Sequence, residues 1–287
     1  MVASVAAVIV TYEPEPRALE RLLDRLASEV GEVIVVDNGS AFDVAGLLAV
    51  RSRAQERLLP LGSNFGIAAA QNRGIEAARA AGADAVILFD QDSLPPTGML
   101  ATLAAALAML QTTGRKPAAV GPVPIDARLS PRRAEASETT GPLAVDHLIA
   151  SGCLIPLPIL DDVGPMREEL FIDYVDIEWC LRAAAHGYRC YRVPAARMAH
   201  EFGSPLTVLG HAYASHSPMR HYYLFRNSAW LWQQVSIPWG WRLKTAPRII
   251  SRLAFNALFA KPHRQQWRMM LRGLRDGFAG RLGRGHD

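Results

Sequence analysis

The sequence predicts an α/β protein built on a mostly parallel sheet, with a helical extension at its C-terminal end. Short runs of apolar, often β-branched residues recur through the first 125 residues, and helix-like stretches separate them. Beyond Gly203, aromatic residues and arginines accumulate in a helical pattern. Strands that are apolar throughout need cover on both faces, and intervening helices supply that cover in a parallel sheet.

The individual elements follow in a regular order. Apolar runs predict strands at residues 5–10, 33–36, 58–61 and 86–89. Helical periodicity predicts helices at residues 19–30, 67–81, 97–113 and 175–186. Residues 126–142 are rich in Arg, Pro, Ser and Thr without a period, which predicts a surface loop.

Composition excludes several classes of protein. The 287 residues are 50% hydrophobic, which excludes intrinsic disorder and collagen-like fibres. The three cysteines form no C-x-x-C pair, so we expect neither a disulfide framework nor a structural zinc site, and a cytoplasmic location fits best. No apolar stretch reaches about 18 residues, so no transmembrane span is predicted.

The net charge of +4 conceals an uneven distribution. Residues 242–287 contain 11 Lys and Arg but only two acids, Asp276 and Asp287, and the rest of the chain is slightly acidic. We expect a catalytic domain at 1–210 and a basic, aromatic-rich helical region at 211–287. Arginine beside aromatic and aliphatic residues suits a helix on an anionic membrane, which would make the protein peripheral; an ordinary helical pair with a solvated basic face is equally compatible. Nucleic acid is not an expected partner.

Polar residues follow directly after the predicted strands. Because ligands of parallel α/β sheets bind beyond the carboxyl ends of the strands, Thr11, Tyr12, Asp37, Asn64 and the acidic pair in Asp90-Gln91-Asp92 should gather on one rim. In an extended segment, residues two apart point to the same side, so Asp90 and Asp92 could clamp Mg²⁺ or Mn²⁺ and a diphosphate. The alternative is ordinary turn chemistry.

Other residues favour a nucleotide ligand. Asp37 could accept hydrogen bonds from a sugar hydroxyl or a base, or could simply shape a turn. Around Asn64, Gly66 and Asn72, small residues would let backbone and amide groups approach a ligand, although Asn64 could equally cap a helix. Neither G-x-G-x-x-G nor a Walker-A sequence is present.

A second acidic cluster surrounds the start of the helix predicted at 175–186. Asp176 could act as a general base toward an acceptor hydroxyl, and Asp173 is its rival. The alternative places Asp173 as helix cap and Asp176 in a first turn favoured by the helix dipole. Asp176 and Glu178 lie roughly 200° apart on a helix, so only one can face a given site. His200 is either a third metal ligand or a satisfied polar residue.

In order along the chain, these motifs resemble family 2 glycosyltransferases with a GT-A fold, in which a Rossmann-like sheet binds a nucleotide sugar. The residues that carry the resemblance are Val8-Ile9-Val10-Thr11-Tyr12, Val35-Val36-Asp37-Asn38-Gly39-Ser40, Asn64-Phe65-Gly66-Ile67-Ala68, Asn72-Arg73-Gly74 and Phe89-Asp90-Gln91-Asp92-Ser93. The stretch from Leu170 to Arg182, then Gly187-Tyr188, His200 to Gly203 and Arg220 to Asn227, is similar to the rhamnosyltransferase branch.

The resemblance implies inverting transfer of a sugar, with dTDP-L-rhamnose as donor, to a saccharide that can be lipid-linked, in cell-surface polysaccharide (O-antigen) synthesis. It implies that Thr11, Tyr12 and Asp37 hold the base and ribose, and that Asp90 and Gln91 lie at the donor. Asp92 would bind Mg²⁺ or Mn²⁺, with Asp90 and His200 as further ligands. Asp176 would be the base; many family members carry this base in a Glu-Asp pair, and Val175 replaces the first member here.

Other functions remain open at this point. A transferase for another nucleotide sugar would use the same rim. A nucleotide-binding domain without turnover would need the acids only as caps and turns. A nucleotidyltransferase would normally carry a Gly- and Arg/Lys-rich phosphate loop after its first strand, where this chain has Thr11-Tyr12-Glu13-Pro14.

Overall fold

The computed structural model describes residues 4–125, 141–199, 204–208 and 211–285. Most of the loop predicted at 126–142 and the predicted metal ligand His200 lie outside these ranges. Within them, one eight-stranded sheet has the order β3-β2-β1-β4-β7-β5-β8-β6. Its strands are β1 Val5–Thr11, β2 Glu32–Asp37, β3 Glu56–Pro60, β4 Ala85–Asp90, β5 Pro117–Ile125, β6 Leu143–Val145, β7 Cys153–Pro156 and β8 Arg189–Ala199.

Strands β3, β2, β1 and β4 are all parallel to one another, as are β5 and β8, which confirms the mostly parallel sheet. Strand β7 lies antiparallel between β4 and β5. Helices cover both faces. Alternating residues of β1 enter two separate cores, with Val8 packed in the core that includes α3 and α6 and Ile9 packed in the core that includes α1 and α4.

The helices agree with the predicted ones to within a few residues. They are α1 Pro16–Leu26, α2 Val44–Arg51, α3 Ile67–Ala80, α4 Met99–Thr112, α5 Leu157–Val163, α6 Val175–Ala185, α7 Pro218–Leu231, α8 Trp239–Phe259 and α9 His263–Phe278. Helix α1 illustrates the cause: the Glu15 carboxylate accepts hydrogen bonds from the first backbone N–H groups, Pro16 occupies the first turn, and Leu19, Leu22, Leu23 and Leu26 form the buried stripe.

The region predicted to be helical from residue 211 begins instead with a strand, which is the second of an antiparallel pair. Strands β9 Ser204–Val208 and β10 His211–Ser215 pair in antiparallel register, and the first helix of the region starts at Pro218. The alternation of small and larger residues in His211-Ala212-Tyr213-Ala214-Ser215 suits a strand, a pattern that the aromatic content of the region obscured. The division between 1–210 and 211–287 stays a prediction.

Helices α7 and α9 cross closely because two glycines face the crossing. A Cβ atom at Gly273 would collide with the carbonyl oxygen of Tyr222, and one at Gly277 with that of Arg226. The C-terminal helices therefore pack mainly on each other and on α6, and less on the sheet. Across the described ranges, every helix is too short or too polar to cross a membrane.

Candidate active site

The carboxyl ends of β1, β2 and β4 bring the predicted donor residues to one rim. In the strand register, Thr11 lies beside Asp37, and Val10 lies beside Asp90. The predicted gathering of these residues is therefore confirmed for Thr11, Asp37 and Asp90. It follows from the parallel direction of the three strands, which end at the same edge of the sheet.

Asp37 is the centre of a buried hydrogen-bond cluster. Its carboxylate accepts hydrogen bonds from the Thr11 hydroxyl (3.1 Å) and from the Ser40 hydroxyl and backbone N–H (3.3 Å for N–H to Oδ2). These contacts fix the carboxylate at the edge of the sheet, where it is 9% exposed. Asp37 thus shapes its turn and also retains acceptor capacity, because a carboxylate offers about four lone-pair positions.

Gln91 holds the backbone of Tyr12. The Gln91 side-chain oxygen accepts from the Tyr12 N–H (2.7 Å), and its NH₂ group donates to the Tyr12 carbonyl (3.2 Å). Tyr12 is 49% exposed, so its ring is available to stack on a flat ligand. Gln91 therefore fixes the backbone of Tyr12, and its predicted contact with the donor stays a prediction.

The segment before α3 is organised by two asparagines. The Asn38 side chain donates to Asn64 Oδ1 (3.2 Å) and accepts from the Phe65 N–H (2.9 Å), while Asn64 Oδ1 also accepts from the Gly66 N–H (2.9 Å). Asn64 forms a turn here and does not cap α3, whose cap residue is Gly66. Gly66 has φ +90°, and Phe171 lies directly against it.

We expect Gly66→Ala to destabilise the protein by about 1–3 kcal/mol. A Cβ atom at this position would lie 2.6 Å from the Phe171 carbonyl oxygen, and φ +90° is unfavourable for alanine. Urea unfolding measures the loss. The matched control is Gly82→Ala, because Gly82 has φ +80° but open space around it, so it separates the backbone cost from the collision. Equal effects of the two variants would contradict the proposed contact.

Asn72 is not available to a ligand, contrary to the prediction. It is buried in α3, and its amide donates to the Met166 carbonyl and to the Glu168 carboxylate (both 2.9 Å) while accepting from the Met166 N–H (2.9 Å). Asn72 therefore anchors the segment that leads to the second acidic cluster. The sequence places Asn72 on a helix, but it does not show which loop the side-chain amide faces.

Asp90 and Asp92 lie on a turn, and the extended geometry predicted for them is wrong. Strand β4 ends at Asp90, and the Ser93 N–H donates to the Asp90 carbonyl (3.1 Å), which closes a turn over Gln91 and Asp92. Asp90 is half-buried at the strand end, and Asp92 is exposed. The two carboxylates remain at the same strand end, which is where a metal–diphosphate ligand of this sheet would bind.

Asp173 precedes α6 in a strained loop and is paired with Arg220. The Arg220 guanidinium donates to both Asp173 carboxylate oxygens (3.3 Å), and Asp173 has φ +62°. The loop is held from α7: the Asn227 amide donates to the carbonyl oxygens of Leu170, Ile172 and Asp173 (2.8–3.0 Å). Tyr174, and not Asp173, is the residue before the first turn of α6, so Asp173 is no helix cap.

Asp176 lies in the first turn of α6, and the pKa of its carboxyl group is raised. Desolvation raises the pKa of its carboxyl from 3.8 to about 6; the negative charges of Asp90 and Asp173 add to the rise, and hydrogen bonds from the backbone at Ile177 (2.8 Å) and Ala150 oppose it. Glu178 is occupied on the other side of the helix by Arg182 (2.9 Å) and Arg167 (3.4 Å). Asp176 is thus the acid of α6 that can serve a site shared with Asp90.

The arrangement fits a divalent cation at the strand end. The negative charges of Asp90 and Asp173 reach Asp176, so this part of the site concentrates carboxylates that a cation would stabilise. The described part of the chain contains no group of three or more His, Cys, Asp or Glu side chains placed to hold a metal ion by themselves. Mg²⁺ and Mn²⁺ are commonly held by one or two carboxylates together with substrate phosphates, and Asp90 and Asp92 would supply such carboxylates.

The acidic loop is supported by residues to which the sequence motifs assigned no role. Arg220, Arg226 and Asn227 all come from α7, and Arg226 and Asn227 are completely buried. Buried Arg and Asn inside a helix need partners, so an Arg-Asn pair within an aromatic, helical segment was the available indication. The partners themselves lie more than 45 residues away and leave no local pattern.

Comparison with known proteins agrees with this geometry. Residues 6–114 match the model of "Glycosyl transferase family 2". A dTDP-rhamnosyl transferase, RfbF of Shigella flexneri, is 34% identical over 252 residues, which cover 83% of this chain and 83% of that protein.

Solved structures share the fold at low sequence identity. S. aureus TarS 1–349 in complex with UDP-GlcNAc matches with a TM-score of 0.62 and 16% identity, over 96% of this chain and 81% of that one. GalNAc-T7 with UDP, GalNAc and Mn²⁺ matches with a TM-score of 0.59 and 12% identity, over 91% of this chain, which spans only 58% of the GalNAc-T7 chain. The rim, the acidic loop and these matches together establish that the chain belongs to glycosyl transferase family 2 and is a glycosyltransferase with the GT-A fold.

Proposed function

We propose that this glycosyltransferase transfers L-rhamnose from dTDP-L-rhamnose to a saccharide hydroxyl with inversion at the anomeric carbon. The observation that carries the proposal is the similarity to the dTDP-rhamnosyl transferase of Shigella flexneri. A match over 83% of the chain is too long to be confined to one side of the site.

The donor binds at the strand rim. Asp37, held by Thr11 and Ser40, accepts from the base or ribose, and the exposed Tyr12 ring stacks on the nucleotide. Asn64 and Gly66 bring backbone close to the sugar diphosphate. Asp90 and Asp92 would hold Mg²⁺ or Mn²⁺, and the bound cation would offset negative charge on the nucleotide diphosphate. His200 is the proposed third ligand.

Asp176 accepts the proton of the acceptor hydroxyl. A pKa near 6 keeps the carboxylate largely ionised at neutral pH and makes it a stronger base than an ordinary aspartate. The hydroxyl oxygen then attacks the anomeric carbon from the face opposite the leaving diphosphate. Asp173 is a weaker candidate because Arg220 already occupies its two oxygens.

A panel of nucleotide sugars tests the donor. We expect dTDP-L-rhamnose to give the largest thermal stabilisation with Mn²⁺ present and the fastest release of nucleotide diphosphate once a saccharide acceptor is added. The panel should include dTDP-glucose, UDP-glucose and UDP-GlcNAc. Preference for a UDP-sugar would favour the alternative, a transferase for another donor, and a donor that binds without either transfer or hydrolysis would favour a non-catalytic binding domain.

Metal removal should abolish transfer. With the cation gone, the leaving diphosphate and the carboxylates at the strand end repel each other, so we expect a loss of at least about 100-fold in EDTA that Mn²⁺ or Mg²⁺ restores. Asp92→Asn should raise the metal concentration needed for half-maximal activity, whereas Asp161→Asn, which changes an exposed carboxylate paired with Arg79 in the last turn of α3, should not. Full activity in EDTA would remove the proposed role of Asp92.

The rate should depend on pH through Asp176. Because the base must be deprotonated, kcat/KM should fall tenfold per pH unit below an inflection near pH 6 and level off above it. Asp173→Asn removes a nearby negative charge that raises the pKa of Asp176, so the inflection should move to lower pH in that variant. A flat profile down to pH 4.5 would contradict this assignment.

We propose further that the acceptor is linked to a lipid and that α8 rests on an anionic membrane. Four exposed apolar residues of α8 are spaced four, seven and eight residues apart and so lie close to one face of the helix: Trp239, Leu243, Ile250 and Leu258. The same helix carries four positive charges, from Arg242, Lys244, Arg248 and Arg252. Co-sedimentation should show binding to phosphatidylglycerol vesicles at low salt and none to phosphatidylcholine vesicles. If the protein binds neither kind of vesicle, the membrane contact is refuted, whereas the proposal of rhamnosyl transfer is unaffected.

A further inference from the structure

A groove of about 770 Å³ lies between the start of α7 and α9. Ser217, Pro218 and Met219 form one side of this groove. The other side comes from α9 and consists mainly of arginine, methionine and leucine: Arg268, Met269, Leu271, Arg272 and Arg275, together with Gln265. None of these residues has a role in the proposed donor site.

The arginines of the groove are arranged around a single buried acid. The Asp276 carboxylate contacts Arg272 (3.7 Å), Arg275 (3.2 Å) and Arg281 (3.2 Å), and it accepts a hydrogen bond from the Tyr222 hydroxyl (3.2 Å). One carboxylate cannot neutralise three guanidinium groups, and Arg268 adds a fourth positive charge nearby. Asp276 therefore orients two groove arginines while leaving the groove positively charged.

The remaining lining of the groove is apolar. Met219, Met269 and Leu271 contribute flexible or aliphatic surface beside the guanidinium groups. Guanidinium groups bind phosphate oxygens in pairs of hydrogen bonds, and apolar side chains bind hydrocarbon. The chemical class that satisfies both surfaces is an amphiphile that carries a phosphate or diphosphate group.

The groove also adjoins the acceptor side of the active site. Met219 lines the groove, and the next residue is Arg220, whose guanidinium binds the Asp173 carboxylate. A molecule whose phosphate lies in the groove would thus be held beside the loop that leads to Asp176. The positive charge argues against a second copy of this chain as occupant, because two such grooves would repel each other.

We propose that this groove binds the phosphate-bearing lipid end of the acceptor, and this inference rests on the lipid-linked acceptor proposed above. The groove holds the phosphate with Arg268 and the arginines around Asp276, and it covers the first part of the hydrocarbon with Met219, Met269 and Leu271. Arg268 is the most direct test of the site, because among the hydrogen bonds and ion pairs described for the chain it takes part in none, so its loss should leave the fold intact.

The test compares two single-charge variants of the full chain, Arg268→Gln and Arg264→Gln. Arg264 is one turn earlier on α9, exposed, and outside the groove lining. Binding of farnesyl diphosphate is measured by calorimetry with saturating dTDP and Mg²⁺, so that the nucleotide site is filled. We expect Arg268→Gln to weaken binding about 10-fold and Arg264→Gln to weaken it less than about 2-fold. Farnesol and inorganic diphosphate, each lacking half of the ligand, should bind more weakly than the intact probe.

Three outcomes would overturn the groove as a site: no binding of farnesyl diphosphate to the unaltered chain, equal weakening in the two variants, or inorganic diphosphate binding as tightly as the intact probe. Each differs from a failure of the proposed function, which shows in the donor panel when dTDP-L-rhamnose with Mn²⁺ does not stabilise the chain more than the other nucleotide sugars. Vesicle co-sedimentation of the same variants identifies a bulk-charge effect, because general attraction to an anionic membrane would fall equally in both.

Discussion

Asp176→Asn is expected to lower the rate of sugar transfer by roughly 10²- to 10⁴-fold while leaving donor affinity nearly unchanged. The amide cannot accept the acceptor proton, and it keeps the shape of the side chain in the first turn of α6. Transfer is measured as nucleotide diphosphate released with acceptor present, and donor affinity as the thermal shift with the donor and Mn²⁺.

Asp173→Asn is the matched control. Asparagine tolerates the positive φ of this position, and the change removes the ion pair with Arg220 without removing the base. We expect this variant to retain most of the transfer rate. If Asp173→Asn abolishes transfer and Asp176→Asn does not, the base is Asp173 and the pairing with Arg220 must open during the reaction.

Arg226→Met is expected to have the largest effect on stability, with a loss of about 3 kcal/mol or more in the free energy of unfolding. The Arg226 guanidinium donates to the carbonyl oxygens of Leu170 (2.8 Å), Glu169 (3.3 Å) and Gly283, and it stacks at 4.8 Å on the Tyr223 ring. Methionine replaces the aliphatic stem but removes the buried hydrogen bonds to all three carbonyl groups; Leu170 and Glu169 keep a donor each, in Asn227 and Gly283.

Urea unfolding of Arg226→Met measures that loss, with Arg264→Gln as the control. Arg264 is exposed, so its replacement should change the free energy of unfolding by less than about 0.5 kcal/mol. A loss below about 1 kcal/mol in Arg226→Met would show that water replaces the guanidinium without cost. In Arg226→Met, the rate of sugar transfer should fall more than the rate of donor hydrolysis, because the loop that Arg226 supports lies on the acceptor side.

The sheet and its rim could be predicted because their determinants are local. An apolar run followed at once by Thr11, Asp37 or Asp90 places a polar residue at a strand end, and parallel strands bring such ends together. The sequence leaves open whether residues 90–93 form extended chain or a turn, because one backbone hydrogen bond decides between the two and residue types alone do not show it.

The acceptor side was less accessible to sequence reasoning for a physical reason. The conformation of the loop before α6 depends on Arg220 and Asn227, and the direction of the Asn72 amide depends on Met166. Each partner is tens of residues distant, so the contact appears only once helices α3 and α7 have packed. Periodicity identifies the buried face of a helix but not which segment that face meets.

The support of the acidic loop also has a consequence for the order in which the enzyme is completed. The donor rim is assembled from residues 11–92, near the start of the chain, whereas the loop at 169–173 needs Arg226 and Asn227 and contacts the chain again at Gly283, whose N–H donates to the Glu169 carbonyl (2.7 Å). A chain emerging N-terminal end first can thus form its nucleotide pocket early, but the acceptor side gains its last contacts only after nearly 200 further residues have been synthesised. Nucleotide binding should precede catalytic competence during biosynthesis.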